Sequence, residues 1–141
     1  MQKVLALDFG DKYIGCSYTL SSGIAFTACV PVVRSSSGED LEKIAGIIKS
    51  NKIETVVIGM PYHMNGVFGT RCEKTVNFAE NLRIKIPGIP IEFQDERLST
   101  SEADGFIAGY CSKNKKKMKN YSDSIAAEII LKSWLKKKSA G

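Results

Sequence analysis

At 141 residues the chain suits one domain with a proper core, spanning residues 1–141, and is too short for a two-domain enzyme. Its 43% hydrophobic and 25% charged content reads as an ordinary soluble globular protein. With no apolar run near the ~18 residues of a membrane span and no signal-peptide layout, a cytoplasmic protein with no membrane partner is expected. The net charge of +5 is unevenly placed: Met1 to Tyr110 carries 11 Lys and Arg against 13 Asp and Glu, and Cys111 to Gly141 carries 9 Lys against 2 acids. A basic tail on a near-neutral body points to a polyanionic partner, usually nucleic acid.

In chain order, the first apolar run is Val4 to Gly10, in which Val4, Ala6 and Asp8 share one strand face and Leu5, Leu7 and Phe9 the other. Both faces look buried, as in a central strand over Lys3 to Phe9. Asp8 brings a carboxylate into that setting, which is costly unless it is paired or bound to a cation. It can serve either the Gly10-Asp11-Lys12 turn or a ligand site. Strands over Tyr13 to Thr19 and Ile24 to Val33 follow across short turns, which implies antiparallel neighbours. Pro31 and the Ser35-Ser36-Ser37-Gly38 stretch end this meander.

Leu41, Ile44, Ala45, Ile47 and Ile48 then recur at a helical period over Glu39 to Lys49. Thr55 to Gly59 is a short β-branched run of the kind found in buried parallel strands. A second such unit follows, with a helical stripe over Thr70 to Lys85 and a strand over Ile89 to Phe93. Two crossover units after a three-strand antiparallel meander predict an α/β fold, its mixed five-stranded sheet completed by two parallel strands and flanked by helices. Capping-box spacing of Ser99 and Glu102 predicts a helix from Thr100 to about Tyr110. Lys113 to Lys119 reads as a basic loop, and Ser122 opens a last helix carrying Ile125, Ala126, Ile129, Ile130, Trp134 and Leu135, with Lys136 to Lys138 at its C-terminal dipole end.

The chemistry is carried by acids. Cys16, Cys29, Cys72 and Cys111 form no C-x-x-C pair, which argues against a zinc site or a disulfide framework and for small buried thiols. His63 is the only histidine, which moves any catalytic reading toward carboxylates. Asp8 ends the first strand, Asp95-Glu96 follows the last one, and Asp123 begins the final helix. With the first strand central and parallel to the last, both strand ends fall at one edge of the sheet, and a helix N-terminus can be laid against the same edge. Clustered carboxylates repel one another unless a divalent cation neutralises them, and oxygen ligands suit Mg²⁺ or Mn²⁺. Periodicity alone leaves the choice between Asp95 and Glu96 open.

Asp8-Phe9-Gly10 with Lys12, Ile14 and Gly15; Gly59-Met60-Pro61 with Met64-Asn65-Gly66; Asp95-Glu96-Arg97-Leu98-Ser99-Thr100; and Asp123-x-x-Ala126-Ala127 with Ile130-Leu131 together resemble the YqgF/RuvX family. These motifs keep the family's order and span almost the whole chain. The resemblance implies a ribonuclease H-like fold, in a family described as Holliday-junction resolvases and as nucleases in maturation of small-subunit ribosomal RNA. It also implies an acidic triad of Asp8, Glu96 and Asp123, and so selects Glu96. The chain departs from the family at Tyr13, where a basic or small residue is common, and at Tyr62-His63, where Leu-Asn is. It departs again at Asn65 in place of Asp, and at Tyr121, where Lys often stands.

The expected function is metal-dependent endonucleolytic hydrolysis of structured nucleic acid, either Holliday-junction-type DNA or a precursor of small-subunit ribosomal RNA. Asp8, Glu96 and Asp123 would hold Mg²⁺ or Mn²⁺. Lys12, Lys113, Lys115, Lys116, Lys117 and Lys119 would meet phosphates without reading bases, and Arg97 would contact a phosphate or orient Glu96. The chain would act as a monomer or a weak homodimer, and a branched substrate would favour the dimer because paired cuts need two sites. The alternative is a non-catalytic RNA-binding factor in ribosome maturation on the same fold. A phosphotransferase of the actin-like ATPase type ranks last, because it needs two such domains.

Overall fold

A computed structural model of the chain describes residues 3–20, 26–28, 31–62, 65–95 and 124–138. Its strands are β1 (Val4–Phe9), β2 (Tyr13–Thr19), β3 (Phe26–Ala28), β4 (Val32–Val33), β5 (Thr55–Met60) and β6 (Ile91–Asp95), and its helices are α1 (Ser37–Ser50), α2 (Thr70–Lys85) and α3 over residues 124–138. The sheet runs β3-β2-β1-β5-β6, with β4 also paired to β2. β1 is antiparallel to β2 and parallel to β5, and β5 is parallel to β6. The expected α/β fold with a mixed sheet is what forms.

β1 occupies the centre of the sheet because its two faces are apolar. Leu5 and Leu7 pack with Ile44, Ala45 and Ile48 of α1 and with Phe78, Ala79 and Leu82 of α2. Val4 and Ala6 face the other way, onto Ile130, Leu131 and Trp134 of α3. Full burial of a side chain such as Leu5 or Leu7 contributes roughly 1.5–3 kcal/mol. β5 is buried along its whole length, which is why it reads as an unbroken apolar run rather than an alternating one. Among the described residues, two helices on one face and one on the other make three layers.

The expected strand over Ile24 to Val33 is corrected to two short pieces in different registers. Ser17 pairs with Ala28, whereas Ile14 pairs with Val32, so β2 advances three residues while the facing chain advances four. One extra residue shifts the ladder, and Pro31 beside it has no N–H to keep the pairing continuous. The last strand begins at Ile91 rather than Ile89 for a similar reason: Pro90 cannot donate, although its carbonyl accepts the Val56 N–H at 2.9 Å. α1 begins at Ser37 because Ser36 caps it, its hydroxyl accepting the Glu39 N–H at 3.2 Å. α2 spans the expected Thr70–Lys85. The helix expected from Thr100 to Tyr110, the Lys113 to Lys119 loop, Ser122, His63, Cys29 and Cys111 lie outside the described residues. Cys16 and Cys72 are buried, as expected of small thiols.

Candidate active site

The parallel run of β1, β5 and β6 brings their C-terminal ends to one edge. Leu7 is level with Ile58, Gly59 with Gln94, and Met60 with Asp95, so Asp8 stands at the edge from which β5 and β6 also leave the sheet. Asp8 is half-buried and follows Val4 and Ala6 onto the α3 face. Asp95 falls on the opposite face. Ile91 of the same strand packs into the α1–α2 core, whereas Glu92 reaches α3, where its carboxylate accepts the Trp134 Nε1–H at 3.4 Å. Alternation therefore puts Gln94 on the side of Asp8 and Asp95 away from it.

α3 enters at the same edge. Ser124, its first described residue, is fully buried, and its Oγ accepts the Cys16 N–H at 3.1 Å. Cys16 lies between the β3 and β4 registers, where the shifted ladder leaves a strand N–H to be met from outside, and it pairs with Leu7, the residue before Asp8.

The turn after Asp8 is held from the α1–α2 side. The Gly10 N–H donates to the Tyr13 carbonyl at 2.9 Å, and a Cβ on Gly10 would lie 2.8 Å from that oxygen, so no larger residue fits without moving backbone. Arg34 Nη1 donates to the Gly10 carbonyl at 3.1 Å, and its Nε reaches the Asp40 carboxylate at 3.4 Å. Its guanidinium lies 4.4 Å from the centre of the Phe9 ring, which stacks on Phe78 at 4.5 Å. Asp40 is 2% exposed and also accepts the Ser35 N–H at 2.9 Å. A buried carboxylate is tolerable only with such partners. Lys74 and Asp11 form an exposed ion pair at 3.8 Å across the turn. Neither Arg34 nor Asp40 stood out in the sequence. The available sign was an acid on the buried stripe of α1, next to an arginine just outside a strand.

Of the expected site residues, Asp8 and the exposed Lys12 are placed at this edge. Glu96, Asp123, Arg97, Lys113, Lys115, Lys116, Lys117 and Lys119 lie outside the described residues. Among the described residues no three of His, Cys, Asp and Glu gather into a metal site, and no helix is long and apolar enough to cross a membrane.

A profile of the RuvX Holliday junction resolvase family matches residues 2–137. The chain belongs to that family. A relative from Carboxydothermus hydrogenoformans is 42% identical over 138 residues, covering 97% of this chain and 98% of its own. One from Caldanaerobacter subterraneus subsp. tengcongensis is 39% identical over 133 residues, covering 94% and 95%. Both are described as candidate pre-16S rRNA nucleases. Among solved structures, Thermus thermophilus RuvC bound to a Holliday junction substrate superposes with a TM-score of 0.64, covering 98% of this chain and 97% of that one at 9% identity. The fowlpox virus resolvase bound to Holliday junction DNA reaches 0.60, covering 96% and 98% at 11% identity. At such identities the likeness is one of fold, and it bears out the expected ribonuclease H-like architecture.

Proposed function

We propose that this RuvX-family chain is a Mg²⁺- or Mn²⁺-dependent endonuclease of structured nucleic acid, with Asp8, Glu96 and Asp123 as its acidic triad. The observation that carries the reading is the position of Asp8: a carboxylate at the end of a central strand, on the face toward which α3 begins. Asp95 lies on the other face, which supports its neighbour Glu96 as the second acid. Ser124 is bonded beside β1, which supports its neighbour Asp123 as the third. An all-oxygen donor set at an open edge suits Mg²⁺ or Mn²⁺ over zinc. Bound there, the ion would supply Lewis-acid stabilisation of charge on the phosphate being cut. The three carboxylates would hold it, and Lys12 would meet the substrate's phosphates at the turn beside Asp8.

The near full-length relatives described as pre-16S rRNA nucleases favour a structured precursor of small-subunit ribosomal RNA over a four-way DNA junction. The deciding experiment compares the wild type and Asp8→Asn on both substrates with Mg²⁺ or Mn²⁺. The expected result is cleavage of the RNA precursor by the wild type, lost in Asp8→Asn while binding persists. Cleavage unchanged by Asp8→Asn would refute the triad, and salt-sensitive binding without turnover would favour a non-catalytic RNA-binding factor.

A further inference from the structure

The active edge carries exposed aromatic surface that phosphate hydrolysis does not require. Tyr13 is 43% exposed at the start of β2, and Val67 and Phe68 are each 51% exposed on the loop from β5 to α2. Tyr13 lies on the Asp8 face, because Ile14 and Cys16 of the same strand point into the α1–α2 core. β2 and β5 flank β1 on its two sides, so Tyr13 and the loop that leaves β5 toward Phe68 start from the edge on either side of β1. At about 4.8 Å per strand the flanking strands stand roughly 10 Å apart.

The loop presents its apolar residues from a built turn. Asn65 Oδ1 accepts the Val67 N–H at 3.0 Å, and Gly66 takes a φ of 87°, a left-handed conformation that glycine adopts without strain. Phe68 meets Tyr62 edge-on at 6.5 Å, which braces one edge of the ring. Each platform has a cation close by in the chain, exposed Lys12 next to Tyr13 and exposed Arg71 three residues after Phe68. Aromatic faces beside cations are how proteins hold unpaired bases: the ring stacks on the base and the cation neutralises the backbone. Tyr13 and Tyr62 are also two of the positions at which the chain departs from its family's usual residues.

We propose that Tyr13 and Phe68 are stacking platforms for the bases on either side of the phosphate at Asp8, so that the substrate is an unpaired segment of RNA rather than a continuous duplex. The inference rests on the nuclease reading for the identity of that phosphate, and its test does not depend on turnover. Binding of a fluorescein-labelled single-stranded RNA is measured by anisotropy without divalent metal, against the same RNA annealed to its complement at one salt concentration. The single strand is expected to bind at least about tenfold more tightly than the duplex. Phe68→Ala and Tyr13→Ala are each expected to weaken single-strand binding on the order of tenfold, within the range that removal of one stacked base gives.

Tyr13→Phe and Phe68→Tyr should keep that affinity and Phe68→Leu should not, which separates stacking from mere apolar contact. A 2-aminopurine in the strand should be quenched on binding the wild type and not Phe68→Ala. Equal affinity for single strand and duplex, or unchanged binding and quenching by alanine variants that melt like the wild type, would overturn the platforms even if the enzyme cuts RNA. Selective, quenching-linked binding with no cleavage under any metal would leave the platforms standing and remove the nuclease reading.

Discussion

Ser124 and Cys16, 108 residues apart, are joined by a buried hydrogen bond of 3.1 Å from the strand N–H to the helix hydroxyl. It ties the start of α3 to the strand next to Asp8, at the place where the β2 ladder changes register. Ser124→Ala leaves the Cys16 N–H buried without that acceptor and is expected to cost about 1–3 kcal/mol, read as a lower urea midpoint at unchanged m. If the bond also registers α3 against the active edge, cleavage by Ser124→Ala falls at temperatures where the variant is fully folded.

Arg34 joins the Asp8 turn to the buried Asp40 through the Gly10 carbonyl. Arg34→Ala removes both bonds and the cover on Phe9, with an expected loss of about 1.5–3 kcal/mol, the range for hydrogen bonds to charged groups. Arg34→Lys keeps the charge but cannot reach the carboxylate and the carbonyl with a planar fork, so it should recover only part of the loss. Urea denaturation of the two variants is the check.

Glycine substitutions should have opposite signs at two positions. A Cβ on Gly10 meets backbone at 2.8 Å, so Gly10→Ala is expected to destabilise by about 1–3 kcal/mol. A Cβ on Gly46, inside α1, meets nothing within 4 Å, and Gly46→Ala should stabilise by about 0.5–1 kcal/mol. Thermal melts of the pair measure both.

Burial raises the Glu128 carboxyl above its ordinary range, against a smaller opposing pull from Lys132. A carboxyl whose folded pKa lies above its unfolded value penalises folding as pH rises between the two. Glu128→Gln is therefore expected to raise Tm at neutral pH and to have no effect below the unfolded pKa, where both states are protonated. A pH series of melts on the two proteins shows whether the gain appears only on the alkaline side of that window.

The elements were legible wherever burial is periodic. The two-sided apolar pattern of Val4 to Phe9 marked a central strand, and the stripe over Thr70 to Lys85 predicted α2 with its observed ends. The meander's third strand was misjudged because a register shift adds a residue without altering the apolar pattern around Val32. Of the candidate site, Asp8 was visible as an acid out of place in an apolar run. Arg34, Asp40 and Ser124 were not, since each is an ordinary surface residue type whose burial depends on what packs against it.

The sequence alone determined that the chain builds a mixed sheet around β1, because side-chain alternation and helical period are local properties that each segment carries by itself. It also singled out Asp8, whose charge conflicts with its neighbours' apolarity. Only the tertiary structure decided which face Asp8 shares with α3, that Asp95 lies on the other, and that Arg34 bonds the Gly10 turn and Ser124 the Cys16 N–H. Those facts depend on contacts between segments far apart in the chain, and a local pattern contains no information about which distant partner will meet it.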